Sequence, residues 1–149
     1  MKKRVLLSLL IAAVTVLLDQ ITKYLANTHI QPHEMISVFP LLDLVNVRNQ
    51  GAAFGVFSSF GNTFFISISV IAIAFMVWVI LKDKEDYRIF ALLAGGAAGN
   101  LIDRIMLGYV VDFIYFGAGR YRWPAFNVAD SALSVGMVLM AIKLLRRRQ

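Results

Sequence analysis

The sequence predicts an all-α integral membrane protein with four transmembrane helices, a small extracytoplasmic β element and an interfacial loop or helix. Of the 149 residues, 59% are hydrophobic and 16% are charged, whereas soluble domains contain about 45–50% apolar residues. The apolar residues gather in four segments of spanning length. Basic residues flank those segments, so the net charge of +6 indicates a membrane environment and argues against nucleic-acid binding.

The four predicted spans are long enough to cross a bilayer as helices. They cover residues 5–24, 63–81, 89–107 and 128–145. A hydrocarbon core about 30 Å thick needs about 20 helical residues. The intervening segments predict two outer loops, at residues 25–62 and 108–127. We expect one membrane-embedded domain over residues 1–149, because the chain has the length of a single domain and no low-complexity linker.

The first span has an alternative interpretation as a cleavable signal peptide. It has a basic start and a 14-residue apolar core from Val5 to Leu18. The small residues that a cleavage site requires are missing after Leu18, where the sequence continues Asp-Gln-Ile-Thr-Lys-Tyr. We therefore predict a permanent first span.

The basic residues predict how the chain is oriented. Ten of the 15 lie at one end of the spans: three within residues 1–4, three within 82–88 and four within 143–148. Because Lys and Arg concentrate in cytoplasmic segments, we expect a multi-pass protein with both termini in the cytoplasm. The two outer loops are then extracytoplasmic.

Polar side chains in three different spans fall at a similar depth. Asp19, Asn100, Asp103 and Asp130 lie 11 to 15 residues from the cytoplasmic ends of their spans. At about 1.5 Å per residue this corresponds to about 17 to 23 Å. Intramembrane carboxylates are costly and mark a functional site by default. The agreement among three spans predicts a site toward the extracytoplasmic side.

Each of these polar residues also has a purely structural interpretation. Asp19 and Lys23 are four residues apart and could form an intrahelical ion pair. Asp103 could pair at the membrane boundary with the arginine that follows it. Asn127 and Asp130 resemble a helix start, with Asn at the cap and a carboxylate in the first turn.

Asp112 is harder to explain structurally. It lies in the apolar run Gly-Tyr-Val-Val-Asp-Phe-Ile-Tyr-Phe, which has no basic residue beside it. Desolvation there would raise its pKa and favour the protonated carboxyl. A protonated carboxyl supplies one half of an acid–base pair.

Other chemistries are less well supported by the sequence. The absence of cysteine excludes disulfides, thiolate metal sites and a cysteine nucleophile. His29 and His33 are spaced like helical zinc ligands, but Pro32 between them disfavours a continuous helix. Neither a phosphate-binding glycine loop nor a nucleophile elbow is present.

Five motifs in order carry a family resemblance. They are Asp19–Lys23, Arg48–Phe54, Gly99–Arg104, Val110–Phe113 and Phe126–Ser131. Together they resemble the bacterial lipoprotein signal peptidases, also called type II signal peptidases, over nearly the whole chain. One departure is Gln50, where the family usually has threonine.

The resemblance implies an aspartic endopeptidase of the bacterial cytoplasmic (inner) membrane. Such enzymes remove the signal peptide of a prolipoprotein on the amino side of a cysteine that carries diacylglycerol. The implied catalytic pair is Asp112 and Asp130. The implied binding or supporting residues are Asp19, Asn49, Asn100, Asp103, Arg104 and Asn127. We expect no cofactor or metal, and a monomer whose partners are lipid-modified prolipoproteins and membrane lipids, with no nucleic acid.

The two outer loops receive separate predictions. Short extended stretches from Ile36 to Val47 predict a small β element that covers the site and meets the substrate. The segment from Gly108 to Asn127 is predicted to be a mobile interfacial lid, since its aromatic residues and its two arginines, Arg120 and Arg122, suit the headgroup level.

An alternative function is a small channel, a transporter subunit or an assembly factor. A conduction pathway should place polar groups through the whole membrane depth. The second span instead offers only Thr63, Ser67 and Ser69, and the cytoplasmic halves of all four spans are apolar. A polar level open to one side favours an enzyme.

Overall fold

The computed structural model describes residues 2–51, 61–82, 86–118 and 121–147. Within these ranges the order of elements is α1 (Lys2–His29), β1 (Met35–Phe39), β2 (Leu42–Asn49), α2 (Gly61–Lys82), α3 (Tyr87–Met106), β3 (Val110–Ala118), β4 (Tyr121–Arg122) and α4 (Val128–Arg146). All four helices are long and apolar enough to cross a membrane. The predicted class, four spans with a small sheet, is confirmed.

The largest shift in a helix boundary is at the end of α1. The helix continues to His29, whereas the predicted span ended at residue 24. The additional turn buries Ala26, and Ile30 beyond it packs with Phe113 of β3. Pro32 follows, and proline cannot continue a helix without losing a backbone hydrogen bond. The extra turn therefore carries α1 out of the apolar span and onto the sheet.

Helix α3 is the centre of the bundle and packs against α1, α2 and α4. Small residues allow this close approach. A Cβ added at Gly95 would lie 2.8 Å from Cβ of Thr15, and one added at Gly96 would lie 2.7 Å from the carbonyl oxygen of Ala129. Lipid tails are as apolar as leucine, so membrane helices associate through such close packing rather than through the hydrophobic effect.

The distribution of polarity is the reverse of that in a soluble protein. Asp19 and Asn127 are completely buried and Asp112 is 2% exposed, whereas Leu6 and Ile71 each have about two thirds of their surface exposed. Exposed apolar helix faces suit contact with lipid. The buried polar groups must be satisfied by one another, because an unpaired polar group in hydrocarbon costs several kcal/mol.

The sheet is larger than the predicted β element. It is antiparallel with the order β1-β2-β3-β4, and Val47 lies opposite Asp112. Strands β3 and β4 come from residues 108–127, where an interfacial loop or helix was expected. The run of β-branched and aromatic residues from Val110 to Phe116 favours a strand, and β2 supplies its partner. Strand pairing thus holds residues 110–118 and 121–122 of this segment.

Some sequence predictions fall outside the described residues. Residues 52–54 of the Arg48–Phe54 motif, Arg120 of the predicted lid and Arg148 of the basic C-terminal end belong to this group. The charged residues 83–85, between the second and third spans, do so as well.

Candidate active site

The eight site residues predicted from sequence lie around one polar cluster. The cluster lies where α1, α3, β2, β3 and the start of α4 meet. Its members are Asp19, Asn49, Asn100, Asp103, Arg104, Asp112, Asn127 and Asp130. Most of them are buried, so their hydrogen bonds with one another define the local structure.

Asp112, on strand β3, is held by the side-chain amides of Asn49 at the end of β2 and Asn127 before α4. The side chain of Asn49 donates to its Oδ2 at 2.9 Å, and that of Asn127 donates to its Oδ1 at 2.7 Å. Burial raises the pKa of Asp112 to about 7, although the hydrogen bond from Asn49 lowers it and the charge of Asp130 raises it further. The carboxyl can therefore carry a proton at neutral pH.

Asp130 lies in the first turn of α4 and completes a capping box with Asn127. The backbone N–H of Asp130 donates to Oδ1 of Asn127 at 2.9 Å, and the backbone N–H of Asn127 donates to Oδ2 of Asp130 at 3.3 Å. The structural interpretation of this pair as a helix start is confirmed. The positive end of the helix dipole also favours a carboxylate at this position.

Two asparagines connect the two aspartates. The amide nitrogen of Asn127 is 2.7 Å from Asp112 and 3.2 Å from Oδ1 of Asn100, and the amide nitrogen of Asn100 donates to Oδ1 of Asp130 at 2.8 Å. A cleft of about 850 Å³ opens beside this chain of bonds, and Asp112 and Asp130 both line it. The two carboxyl groups therefore face one space large enough for a peptide segment.

Arg104 brings a positive charge to the same cleft. Its guanidinium donates to the carbonyl oxygens of Asn100 and Gly51, both at 3.3 Å, and lies over the ring of Phe65 at 5.1 Å. Arg104 lies four residues after Asn100, one turn further along the same face of α3. A cation beside two carboxyl groups can stabilise negative charge that develops on a reacting oxygen.

Lys23 has a larger role than the sequence indicated. Its predicted pair with Asp19 is present at 2.8 Å, but the ammonium also binds Asp103 at 3.1 Å and donates to Oδ1 of Asn100 at 2.8 Å. Because an ammonium only donates, it fixes the Asn100 amide with its oxygen toward Lys23 and its nitrogen toward Asp130. The signal in the sequence is a lysine within an apolar span, because ionisable side chains in spans face the interior of the bundle and pair there.

Asp103 supports the cluster from behind. It accepts from the side chain of Gln20 at 2.9 Å and from the backbone N–H of Val111 at 3.0 Å. These bonds tie α1 and α3 to the start of β3, next to Asp112. The alternative interpretation of Asp103, a boundary ion pair with Arg104, is not among the ion pairs of the described residues; the Asp103 carboxylate pairs with Lys23 instead. The contribution of Gln20 was not predicted.

The last member of the cluster, Asp19, links α1 to α4. Its Oδ1 accepts from the backbone N–H of Ala129 at 2.8 Å, which satisfies one of the free N–H groups at the start of α4. Gly99 makes room for this contact, since an added Cβ there would lie 2.5 Å from Oδ2 of Asp19. Among the described residues, no group of three His, Asp or Glu side chains is arranged to hold a metal ion.

Known proteins resemble the chain over nearly its whole length. Residues 11–146 match the family described as Signal peptidase (SPase) II. A lipoprotein signal peptidase of Thermodesulfovibrio yellowstonii is 47% identical over 131 residues, covering 88% of this chain and 89% of that protein. One from Syntrophus aciditrophicus is 36% identical and covers 100% of this chain and 98% of its own length.

Two solved structures are also similar. Both are described as bacterial membrane enzymes studied by the in meso method, at 2.3 Å and 1.9 Å resolution. Each is 39% identical to this chain, with TM-scores of 0.87 and 0.81. The matches cover 95% and 93% of this chain, and 89% and 92% of theirs. The chain belongs to the signal peptidase II family.

Proposed function

We propose that this peptidase is an intramembrane aspartic endopeptidase whose catalytic residues are Asp112 and Asp130. The observation that carries the proposal is that both carboxyl groups line one cleft and are connected through Asn127 and Asn100. Two neighbouring carboxyl groups that share one proton can supply an acid and a base together.

The proposed roles follow from the surroundings of each carboxyl. Burial raises the pKa of Asp112 to about 7, so Asp112 holds the shared proton. Asp130, in the first turn of α4, is the carboxylate. Asp130 takes a proton from water as the water oxygen attacks the scissile carbonyl carbon, and Asp112 gives its proton to the carbonyl oxygen.

Collapse of the tetrahedral intermediate completes the reaction. Asp130 returns its proton to the departing amide nitrogen, the C–N bond breaks, and Asp112 recovers a proton from the hydroxyl that becomes the new carboxyl. No group on the protein forms a covalent bond to the substrate. Asn49 and Arg104 also line the cleft and are suited to hold the peptide backbone or the developing oxyanion.

The proposed substrate is a prolipoprotein whose cysteine already carries diacylglycerol, cleaved on the amino side of that cysteine. The names of the relatives support this assignment. The cleft also supports it, because its walls include Phe65, Ile68, Met76 and Val135. Ile68 and Val135 are about half exposed on the outside of the bundle, so the apolar wall continues to the lipid. Each acyl methylene removed from water is worth about 0.8 kcal/mol, so the diacylglycerol chains hold the substrate in the membrane beside this wall.

We further propose that the site faces the extracytoplasmic side and that both termini are cytoplasmic. The start of α1, the end of α2, the start of α3 and the end of α4 all carry basic residues. The polar cluster lies toward the opposite ends of α1, α3 and α4, consistent with the positive-inside rule. A reporter fused after Gln149 should be cytoplasmic, and one inserted at His33 should be external.

Incubation of the purified enzyme with matched precursors tests the proposed function. One precursor carries diacylglycerol on its cysteine and the other does not. We expect cleavage of the lipidated precursor only, with a product whose mass corresponds to a chain that begins at the modified cysteine. Equal cleavage of both precursors, or a cut elsewhere, would contradict the proposed substrate.

A further inference from the structure

A second cleft lies at the end of the bundle opposite the polar cluster. It has a volume of about 650 Å³ and lies between the start of α3 and the end of α4, with α1 behind it. Its lining, over the described residues, includes no member of the polar cluster around Asp112 and Asp130. The proposed peptidase chemistry gives this cleft no function.

The inner part of this cleft is apolar. It is lined by Ile11 of α1, Ile89 and Leu92 of α3, and Leu139 and Ile142 of α4. Ile89 is buried, whereas Leu139 and Ile142 are each 42% exposed on the outer surface. Leu139 lies seven residues before the end of α4, so the groove extends about 10 Å along the helix. An acyl chain lying along the bundle fits a groove of this shape and chemistry.

The outer part of the same cleft is basic. Arg88 from α3 and Lys143, Arg146 and Arg147 from the end of α4 line it. Among the described lining residues Asp86 is the one carboxylate, and its side chain accepts from the backbone N–H of Arg88 at 3.0 Å as the cap of α3. The described lining of the mouth therefore has a surplus of positive charge. Basic side chains from two helices converge where an apolar groove ends, at headgroup level.

We propose that this cleft binds an anionic phospholipid. The basic mouth would hold the phosphate, and one acyl chain would lie in the groove between α3 and α4. Charge complementarity selects the headgroup, because basic pockets between membrane helices bind anionic lipids. The apolar inner part of the cleft favours a lipid over a soluble phosphate. A basic segment that only followed the positive-inside rule would need no groove beside it.

Native mass spectrometry of the delipidated protein in detergent tests the proposal. The probes are phosphatidylglycerol, phosphatidylcholine with the same acyl chains, and glycerol 3-phosphate as the headgroup alone. We expect one phosphatidylglycerol bound roughly tenfold more tightly than phosphatidylcholine, and no retained glycerol 3-phosphate. Equal retention of the two lipids, or retention of glycerol 3-phosphate, would overturn the proposal.

A charge-matched pair of variants locates the site. Replacement of Arg88 and Arg146 by Gln should weaken phosphatidylglycerol binding about fivefold per side chain, and so about 25-fold for the pair. The control replaces Lys2 and Lys3 by Gln, which removes the same charge at the same end but outside the cleft. An equal loss in the control would show a diffuse charge effect and overturn the proposal.

A third variant keeps the test valid if the arginine variant folds poorly. Leu139→Trp fills the groove from its exposed wall without changing any charge. It should reduce phosphatidylglycerol retention at least tenfold and leave peptidase turnover in mixed micelles unchanged. Unaltered lipid retention in Leu139→Trp would contradict the placement of the acyl chain.

Discussion

Replacing Lys23 by methionine tests whether its ammonium organises the polar cluster. Methionine has a similar length and suits an apolar span, so the change removes the charge and its three hydrogen bonds with little loss of volume. The ammonium lies 2.8 Å from Asp19, 3.1 Å from Asp103 and 2.8 Å from Oδ1 of Asn100. Lys23→Met therefore leaves two buried carboxylates without a cation and the Asn100 amide free to turn.

The contacts of Lys23 determine how much unfolding free energy Lys23→Met should lose. Removing one partner of a buried ion pair costs about 3–5 kcal/mol. Asp19 keeps its bond from the N–H of Ala129, and Asp103 keeps its bonds from Gln20 and Val111. The remaining bonds place the expected loss at the low end, about 3 kcal/mol of unfolding free energy. Loss of the fixed amide beside Asp130 should lower kcat more than it raises KM.

The assay is denaturant unfolding in detergent together with turnover of lipidated precursor. The matched compensating variant is Lys23→Met with Asp19→Asn, which removes one positive and one negative charge from the same site. The amide oxygen introduced by Asp19→Asn would still accept from the N–H of Ala129, so the double variant should be more stable than Lys23→Met alone. A Lys23→Met enzyme as stable and as active as the wild type, or a double variant no better than the single one, would refute this reasoning.

The remaining predictions concern protonation, packing and support. Activity should fall as pH rises through about 7, because burial raises the pKa of Asp112 and this carboxyl must be protonated to act. The contribution of Asp112 to folding stability is likewise fully present below its unfolded pKa, and it is lost as pH rises toward 7. Asp112→Asn should remove that part of the stability profile, and an unchanged profile would contradict it. Gly99→Ala should lower the free energy of unfolding by about 1–3 kcal/mol, because the added Cβ would meet Asp19. Gly136→Ala should lower it less, since the Leu93 side chain that its Cβ would meet can move away. Equal melting temperatures of the two variants would contradict this difference. Asp103→Asn should lower stability and turnover together, because it weakens the contacts to Lys23 and Val111, and a loss of turnover at full stability would contradict a supporting role.

The sequence predicted the helices well because their signals are local. Each span is a continuous apolar run, and the cap of α4 is formed by Asn127 and Asp130, which are three residues apart. The Asp19–Lys23 pair is likewise one helical turn in length. Such features need no knowledge of the rest of the fold.

The parts of the fold and of the site that the sequence did not predict depend on contacts between residues distant in sequence. Strand β3 forms because residues 42–49 supply its partner, more than 60 residues away. The hydrogen bonds from Lys23 to Asn100 and from Gln20 to Asp103 join α1 to α3, and their partners are 77 and 83 residues apart in the sequence. Local periodicity contains no information on these pairings. A carboxylate or ammonium in a span indicates that a partner exists without identifying it.

Turnover by asparagine variants of the two aspartates tests the central claim most directly. The measurement compares Asp112→Asn, Asp130→Asn and the double variant, with Asp86→Asn as the matched control. Asp86 caps α3 at the other end of the bundle, and asparagine caps a helix equally well, so the control should retain full turnover. We expect both single variants to fold, bind lipidated precursor and lose essentially all cleavage, with the double variant no worse than either single one. Substantial cleavage by Asp112→Asn, or losses that multiply in the double variant, would contradict catalysis by this pair.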